Sequence, residues 1–227
     1  MKTCVLIPSY NEEKTIGNIV KDVHSLGFDV FVVDDGSTDD TEKIANEAGA
    51  FLLRHKKNEG KGFALRNGFN YILNLDYDVI ITMDGDGQHS VKDIEKFITA
   101  VQNNTEIGVI VGNRMLNTKD MPYTRILTNI FMSFITSIFC RQEVSDTQCG
   151  FKLVKRVVLE NIKLLTSNFE IESEILIRAS RLGYKILSIP IETIYLDSSL
   201  RYSKISPIID TFRFIKFMFK EIWISIF

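Results

Sequence analysis

The stretch "DVIITMDGDGQH", residues 78–89, begins as an apolar strand and ends in two aspartates, Asp84 and Asp86, each followed by glycine. A short apolar run bounded by turn signals is typical of a strand buried on both faces of a parallel sheet. In such sheets ligands bind beyond the carboxyl ends of the strands. The stretch therefore predicts a central strand that delivers two carboxylates to a ligand-binding edge.

The same pattern occurs on either side of this strand. Two other apolar runs also end in polar clusters, "PSYNE" at 8–12 and "DDGS" at 34–37. We predict strands at 5–8, 29–35, 50–54, 78–84 and 107–112, and helices at about 12–25, 37–49, 61–75 and 90–103. This alternation predicts an α/β fold with a mostly parallel sheet, covered by helices on both faces, and with three polar strand ends at one edge.

Composition limits the class of protein. With 227 residues, 45% of them hydrophobic, the chain can bury one core, so we expect one domain. The net charge of −2 gives no support for nucleic-acid binding. The three cysteines lack zinc-site spacing and suit a reducing compartment, and the N-terminal apolar stretch is too short for a signal peptide. We therefore expect a cytoplasmic protein.

Two segments in the second half are unusually apolar. Residues 126–140 carry no charge, and their polar and apolar side chains fall on opposite halves of a helical wheel. These 15 residues are too few to span about 30 Å of hydrocarbon comfortably. Residues 207–227 predict an amphipathic helix that follows a catalytic domain of residues 1–206. Its charged face contains Asp210, Arg213, Lys216, Lys220 and Glu221. We expect the C-terminal helix to lie in a membrane interface; the alternatives are that it covers the sheet or pairs in a dimer, and residues 126–140 have the same three options.

The two aspartates after the fourth strand allow three interpretations. Asp-Gly pairs are common in turns. A calcium-binding loop is disfavoured because His89 stands where such loops need glycine and because a strand enters the loop. The third interpretation is a site for Mg²⁺ or Mn²⁺ held against a diphosphate, since these ions combine a few protein oxygens with phosphate oxygens.

Four segments in order resemble the motifs of family 2 glycosyltransferases, the inverting enzymes of the GT-A fold that use nucleotide-diphospho-sugars. They are "IPSYNEEKTI" (7–16), "VVDDGSTDDT" (32–41), "NEGKGFALRNG" (58–68) and "MDGDGQH" (83–89). Within the family, "GNRM" (112–115), "DTQCGFK" (146–152) and "RYSK" (201–204) resemble the polyprenyl-phosphate sugar synthases. That branch includes dolichyl-phosphate mannose synthase and dolichyl-phosphate β-glucosyltransferase.

The resemblance implies roles for individual residues. The donor nucleotide sugar would contact Pro8, Tyr10, Glu12, Asp34, Asp35, Lys61 and Asp84, with Arg201 and Lys204 closing on its diphosphate. Asp86 and Gln88 would bind Mg²⁺ or Mn²⁺. Arg114 and Arg125 resemble acceptor-phosphate arginines, and Asp146 aligns loosely with the base of relatives that use hydroxyl acceptors. Glu12 and Lys61 could instead be helix-end and helix-surface charges.

The resemblance also implies the reaction. We expect an inverting, metal-dependent transfer of a hexose from UDP-glucose or GDP-mannose to a dolichyl or undecaprenyl phosphate. Because the lipid stays in the bilayer, the enzyme is expected to be peripheral on the cytosolic face of the membrane. A homo-oligomer is compatible with this expectation. The alternatives are a family member with a hydroxyl (glycan) acceptor, a sugar-nucleotide pyrophosphorylase of similar fold, and a nucleotide-binding scaffold protein. "PSYNEE" argues against the pyrophosphorylase, which needs a glycine-rich signature there.

Overall fold

The computed structural model describes residues 1–119, 121–194 and 207–226. Its strands are β1 (Thr3–Ser9), β2 (Asp29–Asp34), β3 (Phe51–Arg54), β4 (Val79–Thr82), β5 (Ile107–Asn113), β6 (Lys152–Lys155) and β7 (Lys185–Pro190). Its helices are α1 (Ile16–Ser25), α2 (Thr41–Glu47), α3 (Lys61–Ile72), α4 (Ile94–Gln102), α5 (Tyr123–Cys140), α6 (Arg156–Asn161), α7 (Ile171–Arg181) and α8 (Pro207–Ile226). A 3₁₀ turn, Val91–Asp93, precedes α4.

The strands form one sheet in the order β3-β2-β1-β4-β6-β5-β7. β6 runs antiparallel to both of its neighbours, and the other pairs are parallel. Strands β1, β2, β4 and β5 are buried along almost their whole length, as expected for a sheet with helices on both faces. The predicted fold class is therefore confirmed.

The topology brings the three predicted polar strand ends together. β1 lies between β2 and β4, with Ser9 opposite Asp34 and Leu6 opposite Thr82. All three strands are parallel, so their carboxyl ends share one edge of the sheet. β4 ends at Thr82, earlier than predicted, so Asp84 and Asp86 lie in the loop beyond it.

The second half of the chain contains elements that the sequence patterns did not predict. β6 is only four residues long, and it comes directly after the motif residues of "DTQCGF". It lies between β4 and β5 and runs antiparallel to both. No local periodicity marks such a short strand, and its pairing is decided by partners distant in sequence.

Helix α5 turns its polar side chains inward. Asn129, Ser133 and Thr136 are buried, whereas Ile130 and Phe134 are exposed. Ser133 Oγ donates to Asn129 Oδ1 at 2.9 Å, and Thr136 Oγ1 donates to a serine of α7 at 3.2 Å. The helical wheel separated these two faces correctly, but only the tertiary structure shows that the polar face is the buried one.

Helix α8 packs on α5 and is tied to α7 by a buried acid. Glu221 is fully buried, and its Oε1 accepts a hydrogen bond from Arg178 Nη2 at 2.8 Å, while Arg181 pairs with its other oxygen. Asp210 is 7% exposed and pairs with Arg213 at 3.0 Å. The charged face expected for this helix is therefore divided: its acids point to the protein and its cations to the surface.

Candidate active site

The polar ends of β1, β2 and β4 line a cleft of about 440 Å³ at the predicted edge of the sheet. Ten of the site residues predicted from the sequence line it: Pro8, Tyr10, Glu12, Asp35, Lys61, Asp84, Asp86, Gln88, Arg114 and Arg125. Asp34 and Asp146 are fully buried beside it. Arg201 and Lys204 lie outside the described residues.

Asp35 shapes the loop that leads into α3. Its carboxylate accepts the backbone N–H groups of Glu59 at 3.0 Å and Gly60 at 2.8 Å, and it lies 2.7 Å from His55 Nδ1. Gly60 has a φ of +98°, and a Cβ there would lie 2.4 Å from the carbonyl oxygen of Ser167. Only glycine therefore fits at this position, where the backbone is left-handed and packs against Ser167.

Asp34 has a different role from its neighbour. It is fully buried, accepts the Ser37 N–H at 3.0 Å and lies 3.6 Å from Arg54 Nε. Both contacts stabilise the turn after β2. Of the two aspartates, only Asp35 faces the cleft.

A chain of alternating charges runs from the core to the cleft. Lys61 Nζ lies 2.5 Å from Asp84 Oδ1 and 2.6 Å from Glu172 Oε1. The second oxygen of Glu172 pairs with Lys152, which is fully buried. His89 Nε2 lies 3.3 Å from the other oxygen of Asp84. Lys61 thus bridges two carboxylates, and one of them belongs to α7, a helix for which we made no prediction from the sequence.

The electrostatics keep Asp84 and Lys61 charged. Burial alone would raise the pKa of Asp84, but the adjacent Lys61 and the hydrogen bond from His89 hold it well below its ordinary value. Burial alone would lower the pKa of Lys61, and the attraction of Asp84 and Glu172 outweighs this and raises it. Asp84 is therefore an anion at neutral pH, as a cation- or hydroxyl-binding carboxylate must be.

The loop before β6 fixes the far side of Asp84. A Cβ at Gly150 would lie 2.4 and 2.5 Å from the two carboxylate oxygens of Asp84, so only glycine leaves room for them. Lys152 donates to the carbonyl oxygens of Cys149 and, at 3.5 Å, Thr147, and so anchors this loop. The same buried lysine thereby supports the loop and, through Glu172, the position of Lys61.

Asp86 and Gln88 suit a divalent cation whose remaining coordination positions are filled by a bound substrate. Asp86 Oδ1 accepts the Gln88 backbone N–H at 3.0 Å, and both residues line the cleft beside Asp84. Among the residues that the structure describes, no three His, Cys, Asp or Glu side chains form a metal cluster. Two carboxylates and an amide are too few for an all-protein cage, but they suit Mg²⁺ or Mn²⁺ that also binds phosphate oxygens.

The opposite wall of the cleft contains a buried guanidinium–carboxylate pair. Arg114 donates to Asp146 from Nε at 2.7 Å and from Nη2 at 2.9 Å, and its backbone N–H donates to the same carboxylate at 3.1 Å. Asn129 Nδ2 adds a fourth hydrogen bond at 2.6 Å. Burial alone would raise the pKa of Asp146, but Arg114 keeps it below its ordinary value.

This bonding decides what Asp146 can do chemically. Both of its oxygens already accept hydrogen bonds, and its lowered pKa makes it a weak proton acceptor. It therefore orients Arg114, and it is not placed to act as a general base. Arg114 keeps other N–H donors for an anion, since a guanidinium has five.

Several cleft residues were not found from the sequence. Ser9 Oγ is buried beside the cleft and has no hydrogen-bond partner within the described residues. Its position in "PSYNE" could have suggested it. Asp210 and Arg213 line the cleft from the second half of the chain, and the buried Glu172 and Lys152 are linked to it through Lys61. Only the folded structure brings these four residues together with the first half.

Comparisons with known proteins agree on one family. A family model described as glycosyl transferase family 2 matches residues 4–163. The chain is 33% identical to UDP-N-acetylglucosamine–dolichyl-phosphate N-acetylglucosaminyltransferase from Methanococcus voltae, over 86% of this chain and 87% of that one. It is 32% identical to dolichyl-phosphate beta-glucosyltransferase from Saccharomyces cerevisiae, over 86% and 67%. Glucosyl-3-phosphoglycerate synthase from Mycobacterium tuberculosis, solved with Mn²⁺ and UDP-glucose, has a TM-score of 0.66 at 20% identity, over 87% and 73%.

Proposed function

Since the chain belongs to glycosyl transferase family 2 and has the GT-A fold, we propose that it transfers a hexose, glucose or mannose, from a nucleotide diphosphate to a polyprenyl phosphate. The transfer inverts the anomeric centre and depends on Mg²⁺ or Mn²⁺. The observation that carries the acceptor assignment is the pairing of Asp146 with Arg114, because it engages the carboxylate that aligns with the base of relatives that use hydroxyl acceptors.

The names of the relatives support this acceptor. The archaeal and yeast relatives are both named for transfer to dolichyl phosphate. A lipid monophosphate has a second pKa of about 6, so it is largely ionised at neutral pH and can attack the anomeric carbon without a general base. What it needs is cationic groups that hold it in line with the anomeric carbon.

In this mechanism the two walls of the cleft bind different substrates. Ser9, Tyr10, Glu12 and Asp35 line the wall where the nucleoside would bind. On the other wall Arg114 would hold the acceptor phosphate, positioned by Asp146.

The metal-binding end of the cleft would hold the diphosphate. Asp86 and Gln88, beside Asp84, would hold the metal ion, which when bound supplies positive charge to the departing diphosphate. One phosphate oxygen of the acceptor forms a bond to the anomeric carbon as the bond from that carbon to the diphosphate oxygen breaks. A single displacement of this kind inverts the configuration.

The proposed location follows from the acceptor. A polyprenyl chain cannot be drawn far from the bilayer, so the protein would act as a peripheral protein on the cytosolic face of a membrane. Relatives that act on dolichyl phosphate support this location.

The test is a transfer assay with two matched acceptors. Purified protein is incubated with Mn²⁺, a labelled sugar nucleotide (UDP-glucose, GDP-mannose or UDP-N-acetylglucosamine) and either a polyprenyl phosphate or the polyprenol of equal chain length. We expect a lipid-linked sugar from the phosphate alone. Product from the alcohol or from a glycan, with none from the phosphate, would show that the acceptor assignment is wrong.

The metal role is tested by one pair of variants. Asp86→Ala should abolish transfer, while Asp22→Ala, at an exposed position of α1 that does not line the cleft, should leave it unchanged. Full activity of Asp86→Ala would remove Asp86 from the proposed site. A product containing N-acetylglucosamine would show that the proposed sugar is wrong and would leave the acceptor assignment unchanged.

A further inference from the structure

Helices α5 and α8 expose an unusual number of large apolar side chains. On α5 they are Tyr123, Leu127, Ile130, Phe131, Phe134 and Ile138. On α8 they are Ile209, Phe212, Ile215, Phe219 and Ile222. Phe134 and Phe219 are 65% and 69% exposed. The two helices pack against each other, so their outer faces adjoin. A contiguous apolar surface of this kind marks a contact with a membrane or another protein.

The charges around this surface are of one sign. α5 contains no acidic residue, and the two acids among the described side chains of α8, Asp210 and Glu221, are both buried. The exposed charges on α8 are Lys216, Lys220 and Arg213, of which Arg213 also pairs with Asp210 and lines the catalytic cleft. The whole chain has a net charge of −2, so this cationic border is a local feature.

The charge pattern selects a bilayer over a second copy of the chain. In a two-fold dimer the same patch meets itself, so the cations of one α8 would face those of the other. An anionic lipid surface is complementary to the same cations and also accepts the apolar side chains between them.

The inner face of α5 indicates that this helix lies along the surface. By length and apolar composition α5 could cross a membrane. However, its Asn129 is hydrogen-bonded to Asp146 at 2.6 Å, and its Ser133 accepts the Thr147 N–H at 3.0 Å. These hydrogen bonds hold the inner face of α5 against the catalytic domain, so only its outer face is available to lipid.

A cavity of about 110 Å³ opens between the two helices. Met121, Thr128 and Met132 line it from the α5 side, and Thr211 and Phe214 from α8. Arg114, Arg125 and Phe169 line both this cavity and the catalytic cleft, so the two spaces are neighbours. The cavity therefore lies between the apolar surface and the arginines of the cleft.

We propose that the outer faces of α5 and α8 form one surface that lies on an anionic bilayer, and that the cavity between them receives the first isoprenoid units of the acceptor. The assignment of the cavity rests on the proposed function, while the surface itself requires only a lipid bilayer. The lipid would then pass from the membrane to Arg114 and Arg125 without crossing water. α5, which the sequence left between three alternatives, becomes part of the membrane contact.

Vesicle binding tests the surface without donor or acceptor. The full chain is sedimented with vesicles of phosphatidylcholine alone or mixed with phosphatidylglycerol, at low and high salt. We expect binding to the mixed vesicles that weakens with salt. Phe134→Asp and Phe219→Asp should each weaken vesicle binding by roughly tenfold or more, since each replaces an aromatic side chain that would insert into the membrane.

The matched control is Val157→Asp, which places the same charge on an exposed apolar position of α6. It should bind vesicles as the wild type does, and circular dichroism confirms that all variants are folded. The surface assignment is overturned if the wild type binds neither vesicle, or if Phe134→Asp and Phe219→Asp bind as tightly as Val157→Asp. A lipid-free dimer that Phe134→Asp dissociates, with no vesicle binding, would identify a second copy as the partner.

The cavity is tested separately by filling it. Met132→Trp should raise the KM for a polyprenyl phosphate at least several-fold and leave the KM for the sugar nucleotide unchanged, which a general loss of structure would not do. An unchanged acceptor KM would overturn the cavity assignment. Vesicle binding without any lipid-linked product would instead refute the proposed function and leave the surface standing.

Discussion

Replacing Gly150 by alanine tests whether the position of Asp84 controls activity. Gly150 has no left-handed φ, so alanine causes no backbone strain there. Its Cβ would lie 2.4 Å from Asp84 Oδ1 and 2.5 Å from Oδ2. The carboxylate must retreat by about 0.6 Å to reach 3.0 Å, and by about 1 Å to reach an ordinary contact of 3.4 Å.

That movement disturbs a carboxylate that is held on two sides. Asp84 is bound to Lys61 at 2.5 Å and lies 3.3 Å from His89, so a shift of this size breaks or lengthens both contacts. A misplacement of about 1 Å in a catalytic site can cost about 100-fold in rate. We therefore expect kcat/KM to fall by about 100-fold, equivalent to about 2.7 kcal/mol of transition-state stabilisation.

The assay is transfer from the preferred sugar nucleotide to a polyprenyl phosphate at saturating Mn²⁺. Gly17→Ala is the matched control, because its Cβ meets only the side chain of Ile44 of α2, at 2.7 Å, which does not line the cleft. Gly17→Ala should keep kcat/KM near the wild-type value. Thermal unfolding of both variants separates a loss of activity from a loss of structure.

A double-mutant cycle gives the decisive result. If Gly150→Ala acts by displacing Asp84, adding it to Asp84→Ala should cost almost nothing more. Wild-type activity in Gly150→Ala, or full additivity with Asp84→Ala, would refute the argument from the close contact.

Three further predictions concern buried charges. Lys152→Met should destabilise the protein by about 3–5 kcal/mol, because it leaves Glu172 buried with one partner fewer; adding Glu172→Gln should recover part of that loss in urea denaturation. Asp146→Asn should destabilise the protein most at neutral pH. The pKa of Asp146 is lowered in the folded state, so its contribution to the free energy of unfolding is complete only above its unfolded pKa of about 3.9. The difference in unfolding free energy from the wild type should shrink as pH falls through the folded pKa, and an equal difference at all pH values would contradict the assigned pairing with Arg114. Glu221→Gln should speed hydrogen exchange of α8 by about tenfold or more without changing β1, and unchanged exchange would show that the buried acid does not hold the helix.

Much of the first half of the fold could be predicted from local patterns. Apolar runs such as Val79–Thr82 identify buried strands, because a strand covered on both faces has no polar side to show. The order of strands and polar clusters then placed "PSYNE", "DDGS" and "DGDGQH" at one edge. Seven of the ten predicted side chains that line the cleft come from these three segments.

The second half could not be predicted in the same way. β6 pairs with β4 and β5 through contacts that no short window contains. Lys61 could be proposed as a cleft residue, but its pairing with Glu172 depends on the packing of α7.

The sequence by itself determined which residues share a strand, a helix face or a strand end, because these follow from backbone periods of two and 3.6 residues. Only the tertiary structure decided which face is buried. On α5 the polar face turns inward because Asn129 and Ser133 find partners around Asp146, and on α8 the acid Glu221 is buried because two arginines of α7 neutralise it. Periodicity separates the faces of a helix, but the free energy of each face depends on the partners that folding brings to it.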